Sequence, residues 1–274
     1  MKILVTGHNG FIGHNMIAWM SAEEGWHVDG WDWDPNSFPD VRGYDWCIHL
    51  GAIADMSSDD VEAIMKQNLE FSQQLFHECN THGVNLQYAS SSSVYGNTRD
   101  FSELAKCMPQ TPYAWSKYLF DRWVFQQEQH IYVQGFRYFN VYGKYMHLRG
   151  KRCNAIQKWR DQARKEGKIT VWETAENIKR DWTWVGDVCR LHMDFIKTVN
   201  GSGIWNCGAG LAHSFLDIAE YIAEQEDVEI EFIPVPNDEQ SRMRVKTVAN
   251  LTHLKETVGK RKWLNIYEWL DHAS

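Results

Sequence analysis

A chain of 274 residues, 43% hydrophobic and 23% charged, is large enough to bury the core of one α/β domain with a smaller appended lobe, which excludes a disordered or fibrous protein. Its formal net charge of −8 excludes a general nucleic-acid binder, which needs many Lys and Arg contacts to phosphates, but leaves room for an anionic small molecule at a local basic cluster. No window approaches the run of about eighteen apolar residues that spans a membrane, and the N-terminus reads as a strand rather than a signal peptide. The cysteines (Cys47, Cys79, Cys107, Cys153, Cys189 and Cys207) are scattered without C-x-x-C pairs or metal-spaced histidines, so we expect reduced thiols, no metal and a cytoplasmic protein.

In chain order, Lys2-Ile3-Leu4-Val5 is a short apolar run that leads into Gly7, Gly10 and Gly13 and then a helix-compatible segment from Asn15 to Met20. The reading is strand, glycine turn, helix. Such a turn brings backbone N–H groups and the positive end of a helix dipole against the pyrophosphate of a dinucleotide, with Gly10 allowing close approach and Gly13 close helix–strand packing. The pattern is G-x-x-G-x-x-G after Thr6 rather than G-x-G-x-x-G, and a purely structural turn is its alternative. A second strand then ends in Asp32, about twenty residues beyond the turn, where a carboxylate accepts from the adenosine ribose hydroxyls; Asp34 is the near alternative. No Lys or Arg stands between Asp32 and Arg42 to take a 2′-phosphate, which favours NAD over NADP.

Residues 33 to 44, with Pro35, Pro39 and Gly43, read as a loop without room for a strand–helix crossover. A strand follows at Asp45–Leu50 and ends in the small residues Gly51 and Ala52; His49 within it is expected to pack beside the sheet. Apolar residues at helical spacing then predict one long helix from Asp59 to Thr81, containing Asn68. The strand at Leu86–Ala89 runs into Ser90-Ser91-Ser92-Ser93, either a polar turn or hydroxyls placed for chemistry at a strand's carboxyl end.

Thr111 and Pro112 open a further helix, expected to run from 113 to 130. Tyr113 and Lys117, four apart, share one of its faces. A lysine ammonium near the phenol is expected to lower its pKa from about 10, so that Tyr113 exchanges a proton with a substrate hydroxyl while a serine holds the same oxygen. A surface aromatic–lysine pair is the alternative.

With these residues in place the sequence resembles the extended short-chain dehydrogenase/reductase family of nucleotide-sugar epimerases, dehydratases and reductases. The resemblance rests on TGHNGFIG, Asp32, HLGA, Asn68, YASSSSVYG, TPYAWSK and RYFNVYG, in the family's order. It implies a Rossmann-type doubly wound parallel sheet with a small C-terminal substrate-binding lobe. The NAD-binding domain would span 1–143, with 182–208 packing back on it, and the lobe 144–181 and 209–274. It implies Ser91, Tyr113 and Lys117 as catalytic residues. Gly7, Gly10, Phe11, Ile12, Gly13, Asp32, Leu50, Gly51, Ala52, Asn68, Tyr138 and again Tyr113 and Lys117 are implied as cofactor-binding, and Ser92, Ser93 and Asn140 as facing substrate.

The downstream half is most similar to the heptose 6-epimerase branch of that family, through RYFNVYG, ENIKRD, VGDV, SGIWN and IEFIPVP. That similarity implies a nucleotide-diphosphate sugar as substrate, oxidised and re-reduced with no net redox change. Three departures stand out. The 33–44 loop is shorter than the family's third strand and helix, so part of the adenine pocket is built differently. Where the branch has a second base, a lysine, colinear counting places Arg149, with Lys151 nearby; and a tyrosine expected after Arg242 is Met243. Arg149 and Lys151, with Lys144, Arg152, Arg180 and Arg242, read as a site for the diphosphate or as solvated loop residues, and Trp172 as a stacking surface for the nucleotide base or as core. The competing readings are a 4-epimerase or ketoreductase on a UDP-, GDP- or dTDP-sugar and a non-catalytic dinucleotide-sensing regulator. The family's 4,6-dehydratases carry an acidic pair where Ser92 and Ser93 stand. By the same analogy the helices at 59–81 and 113–130 build a homodimer.

Overall fold

The structure is a computed structural model that describes the chain except residues 56, 57, 59, 153, 237–244 and 273–274, and except the side chains of 151 and 152. It opens with β1 (Lys2–Thr6), α1 (Phe11–Ser21), β2 (His27–Trp31) and β3 (Trp46–His49). Ile3 and Val5 of β1 are fully buried, which is what an interior parallel strand requires. Residues 33–44 hold no strand or helix, so β2 becomes an edge of the sheet.

The long helix expected over 59–81 is instead α2 (Val61–Met65) and α3 (Phe71–His82) joined through a π-helical turn over Lys66–Glu70. Asp60 caps its start by accepting from Ala63 N, and Gly83, at φ 71°, ends it in the left-handed conformation that a side chain disfavours. The expected first residue, Asp59, lies outside the described residues. Next come β4 (Asn85–Ser91) and α4 (Pro112–Val124). Thr111 Oγ1 accepts from Ala114 N at 3.2 Å and Pro112 occupies the first turn. α4 stops at Val124, short of the expected 130. Gln127 and Gln129 fold back there, and their amides donate to the carbonyls of Trp123 and Val124 at 3.1 and 3.0 Å.

β5 (Val133–Tyr138) and β9 (Gly203–Cys207) complete a six-stranded parallel sheet in the order β2-β1-β3-β4-β5-β9. β6 (Asn140–Tyr142) leaves this sheet for a smaller one, where it pairs with β8 (Lys179–Trp184), which also meets β10 (Ala212–Ser214) and β12 (Lys246–Thr247). β7 (Lys168–Trp172) pairs with β11 (Glu229–Ile233). α5 (Ala155–Glu166) and α7 (Phe215–Glu226) pack beside these short strands, α6 (Val185–Thr198) packs on α1, and α8 (Thr252–Val258) and α9 (Ile266–His272) close the chain. The architecture is the doubly wound α/β fold anticipated from sequence.

The core includes much of the tryptophan content, with Trp46, Trp159, Trp182 and Trp205 buried. Cys47, Cys79, Cys189 and Cys207 are buried free thiols. His49 packs in the sheet as expected, its ring bridging Thr6 Oγ1 at 2.7 Å and Ser72 Oγ at 2.8 Å. Among the described residues no helix is long and apolar enough to cross a membrane.

Candidate active site

The glycine turn sits at the carboxyl end of β1. Gly7 has φ +75°, and a Cβ there would lie 2.5 Å from Gly51 N; one on Gly13 would lie 2.1 Å from Gly7 O. Both glycines are therefore demanded by the protein's own packing. Gly10 is exposed and a Cβ there would meet only Gly7 O, at 3.3 Å, so the backbone beside it is open to a ligand. His8, in the same turn, has a buried Nδ1 with no hydrogen-bond partner. Phe11 anchors the turn in the core, and Ile12 is half-buried. Asp32 stands just past β2, where Oδ1 accepts from Trp33 N at 2.9 Å. Leu50 N donates to Thr6 O at 3.0 Å, which brings the half-buried Leu50, Gly51 and Ala52 alongside the turn. An open backbone cradle, an orphaned polar atom and a carboxylate at the next strand end fit a dinucleotide.

Asn68 holds the neighbouring backbone in place. Its Oδ1 accepts from Ile53 N at 2.8 Å, and its Nδ2 donates to Ile53 O at 3.0 Å and Ser116 Oγ at 3.1 Å. The side chain thereby ties the π turn to the loop after β3 and to α4.

β4 ends at Ser91, whose Oγ accepts from Ser93 N at 3.1 Å and which stands near enough to Tyr113 to act on its phenol. Ser92 is half-buried and Ser93 buried in the short 3₁₀ turn that follows. Burial raises the Tyr113 pKa, and the Ser91 hydroxyl and the positive charge of Arg149 pull it down. Sequence reasoning assigned the lowering to Lys117. Lys117 is buried on the same face, but the groups that lower the phenol here are Ser91 and Arg149. Burial also depresses Lys117 itself, to about 8, against the upward pull of Asp121.

Asp121 was missed from sequence, although it stands four residues beyond Lys117 on α4 and the same spacing rule reaches it. It is buried, with Oδ2 accepting from Arg137 Nε and Ser90 Oγ, each at 3.0 Å, and Oδ1 from Tyr88 Oη at 3.1 Å. Arg137 in turn donates to Tyr95 Oη at 3.1 Å, and Tyr95 to Asn206 Oδ1 at 2.7 Å. A buried, hydrogen-bonded ion pair thus stands close enough to Lys117 to act on its charge.

Tyr138 turns its hydroxyl into the core. It hydrogen-bonds His192 Nε2 at 2.6 Å while His192 Nδ1 meets Gln87 Oε1 at 2.7 Å. Asn140 is half-buried at the start of β6, in register with Trp182 of β8. Arg149 lies in the 146–152 segment, close enough to act on Tyr113. Arg180, on β8, lies over the Phe215 ring at 5.5 Å and donates to Lys179 O. Trp172 is half-buried at the end of β7, in register with Ile233. Ser91, Tyr113, Lys117 and Arg149 are therefore brought together, whereas Arg180 and Trp172 are placed by the smaller sheets. Arg242 and the Lys151 side chain lie outside what the structure describes. Among the described residues no group of three or more His, Cys, Asp or Glu is arranged to hold a metal ion.

The model of the NAD dependent epimerase/dehydratase family matches residues 3–208. The chain is 34% identical to the ADP-L-glycero-D-manno-heptose-6-epimerase of Brachyspira hyodysenteriae over 226 residues, 80% of this chain and 71% of that protein. The crystal structure of the ADP-L-glycero-D-manno-heptose-6-epimerase of Helicobacter pylori has the same fold, with a TM-score of 0.88 at 23% identity, covering 99% of this chain and 95% of that one. So has the UDP-glucuronic acid 4-epimerase of Bacillus cereus, solved with a UDP-sugar analogue and NAD: TM-score 0.86, 22% identity, 99% of this chain and 97% of that one. The family match, set beside the glycine cradle and the Ser91–Tyr113–Lys117 constellation, identifies the chain as a member of the NAD dependent epimerase/dehydratase family, an enzyme of the extended short-chain dehydrogenase/reductase type.

Proposed function

We propose that the chain is a cytoplasmic, NAD-dependent epimerase of a nucleotide-diphosphate sugar, similar in reaction to the ADP-heptose 6-epimerases. The observation that carries the reading is the gathering of Ser91, Tyr113 and a buried Lys117 at the end of β4 and the start of α4, in a fold that also holds an open glycine cradle. NAD, held by Gly7, Gly10, Phe11, Ile12, Gly13, Asp32 and residues 50–52, supplies the hydride acceptor and donor that leaves no net redox change. The chain's own part is proton transfer. Tyr113 takes the proton from a sugar hydroxyl and returns it, Ser91 holds the same oxygen, Ser91 and Arg149 favour the phenolate, and Lys117 stands buried on the same helix face. Asn68 and Asp121 act as positioning residues. Asn140, Ser92, Ser93, Arg149, Lys151, Trp172, Arg180 and Arg242 are assigned to the substrate, the basic ones to its diphosphate. NAD is favoured over NADP because Asp32 would repel a 2′-phosphate.

One observation favours a second reading. A guanidinium is the wrong group for a second base, so with Arg149 at that place chemistry needing one acid–base group, a 4-epimerase or ketoreductase on a UDP-, GDP- or dTDP-sugar, suits the site as well. A regulator that only senses the dinucleotide has no use for the Ser91–Tyr113 pair.

We place the NAD-binding domain at 1–143 with 182–208, and the substrate lobe at 144–181 and 209–274. Trp115 and Leu119 on α4 and Val61 on α2 are exposed, which supports a homodimer through those helices. Unpaired thiols accord with a reducing compartment. The test is a panel of ADP-, UDP-, GDP- and dTDP-sugars, ADP-heptose included, with cofactor absorbance and product NMR read together. An inverted carbon without net NADH establishes the epimerase and its substrate. Stoichiometric NADH change replaces it with the reductase, and silence across the panel leaves the regulator.

A further inference from the structure

A cavity of about 290 Å³ opens between the turn that follows β6, α5 and α9, and none of the residues assigned above to NAD, proton transfer or substrate lines it. Met146 is buried at its base, Arg160 and Trp269 are half-buried in its walls, and the exposed Lys144 and His272 stand at its rim. Among the described residues no acidic side chain lines it, although the chain as a whole carries a formal charge of −8. Small-molecule pockets begin at about 300 Å³, and one water takes about 30 Å³, so the space suits a small organic ligand rather than a bare ion.

Both permanent cations of the cavity are held against rings. Lys144 Nζ lies 4.9 Å from the centre of the Tyr145 ring, and Arg160 Cζ lies 5.7 Å from that of Trp269. The rings are anchored in turn, Tyr145 edge-on to His14 of α1 at 4.3 Å and Trp269 edge-on to Tyr142 at 5.2 Å. Tyr145 has φ 70°, a left-handed conformation that an aromatic residue rarely adopts, and Asn15 Nδ2 fixes the turn by donating to Lys144 O at 2.8 Å. A strained turn thus sets Lys144 and Tyr145 on one side of the cavity. On the other, burial and the charge of Arg164 both push the Arg160 pKa down, against the pull of Glu226. A guanidinium in that setting gains more from an anion than one in open water does.

We propose that this cavity binds a phosphate monoester, its phosphate on Arg160 and Lys144 and its organic part against Met146, Tyr145 and Trp269. A phosphate close to dianionic at neutral pH matches two cations, and the guanidinium fork takes two of its oxygens. Inorganic phosphate meets the same cations but leaves the apolar base unused, so the ester binds more tightly.

The probe is phenyl phosphate, titrated into the full chain labelled with nitrogen-15 at the tryptophan indoles; the Trp269 signal is assigned by its loss in Trp269→Phe. That signal should move saturably, and inorganic phosphate should need about ten times the concentration to move it as far. Arg160→Gln should weaken phenyl phosphate about tenfold, and Lys144→Gln, at the exposed rim, about threefold. Arg160→Lys, which keeps the charge, should recover most of the affinity, so that lost binding in Arg160→Gln is read as lost charge and not as damage to α5. NAD affinity of Arg160→Gln should equal that of the wild type. A Trp269 signal that stays in place while other indoles move puts the anion elsewhere and overturns the site. Unchanged affinity in both glutamine variants overturns it as well, and equal affinity for inorganic phosphate overturns the ester.

Discussion

The Ser91 hydroxyl pulls the Tyr113 pKa down against burial, linking the carboxyl end of β4 to the first turn of α4. Burial alone would hold that phenol neutral, and the Ser91 contact is one of the two influences that oppose it. Tyr113→Phe removes the proton relay without touching the glycine cradle. Turnover should fall by about 10²- to 10⁴-fold while NAD binding, measured by calorimetry, stays within about twofold. Near-normal turnover in this variant would refute the role assigned to Tyr113.

Arg149 is the other influence, and its effect has a sign. Its positive charge lowers the Tyr113 pKa, so Arg149→Gln should raise it and move the rising limb of the pH profile of kcat/KM to higher pH. Arg149→Lys keeps the charge and should leave the limb near its wild-type position. A profile that does not move in Arg149→Gln places the guanidinium on substrate alone.

Asp121 acts on the opposite partner. Its carboxylate pulls the Lys117 pKa upward against burial, which has brought it to about 8. Asp121→Asn should therefore lower Lys117 further, and the activity lost when Lys117 deprotonates should disappear at lower pH than in the wild type. Because the same change strands Arg137 in the core, urea unfolding should show a loss of about 3 kcal/mol. Arg137→Met alone should show the stability loss, and a shift of the alkaline limb as large as that of Asp121→Asn would assign the shift to structural damage rather than to the carboxylate.

Much of this site leaves a trace in the chain. Gly7 and Gly13 are where a side chain would collide with backbone, and such positions stay glycine in any sequence that folds this way. Tyr113 and Lys117 follow a cap and a proline that fix where α4 begins, so their shared face can be read directly. The π turn leaves no such trace, because the apolar period of Val61, Ile64 and Leu69 runs through it unbroken. The end of α4 is equally silent: side-chain amides of Gln127 and Gln129 stop it, with no glycine or proline in the way. The direction of the Tyr138 hydroxyl is hidden because β5 is buried on both faces, so alternation does not say which side meets the cofactor. The balance on Tyr113 between burial and charge depends on neighbours from β4 and the 146–152 segment, and spacing along α4 cannot supply it.

Two buried histidines give the stability of the fold a defined pH dependence. His49 and His192 are held neutral by burial, each with a pKa lowered to about 3 from 6.5. In the unfolded chain both take up protons below about 6.5, whereas the folded chain resists until about 3. The unfolded state thus binds more protons across that interval, and stability should fall steadily as pH drops through it. Urea midpoints measured from pH 7 to pH 4 should show that decline, and His192→Gln, which retains polar partners for Tyr138 and Gln87, should flatten the slope even if its stability at pH 7 is lower.

The exposed side chains of α4 test the assembly. Trp115 is 45% exposed and Leu119 37%, one turn apart on the same helix face, with Val61 of α2 at 48%. If a second copy covers this face, Trp115→Glu combined with Leu119→Arg should convert the species seen in sedimentation velocity from dimer to monomer. Both residues lie on the outer surface of α4, and the paired opposite charges avoid a large change in net charge, so thermal melting at low protein concentration should change little. The wild-type melting temperature, by contrast, should rise with protein concentration, as mass action requires of a fold stabilised by association. A wild-type chain that sediments as a monomer at every concentration removes the dimer and leaves the apolar face to another partner.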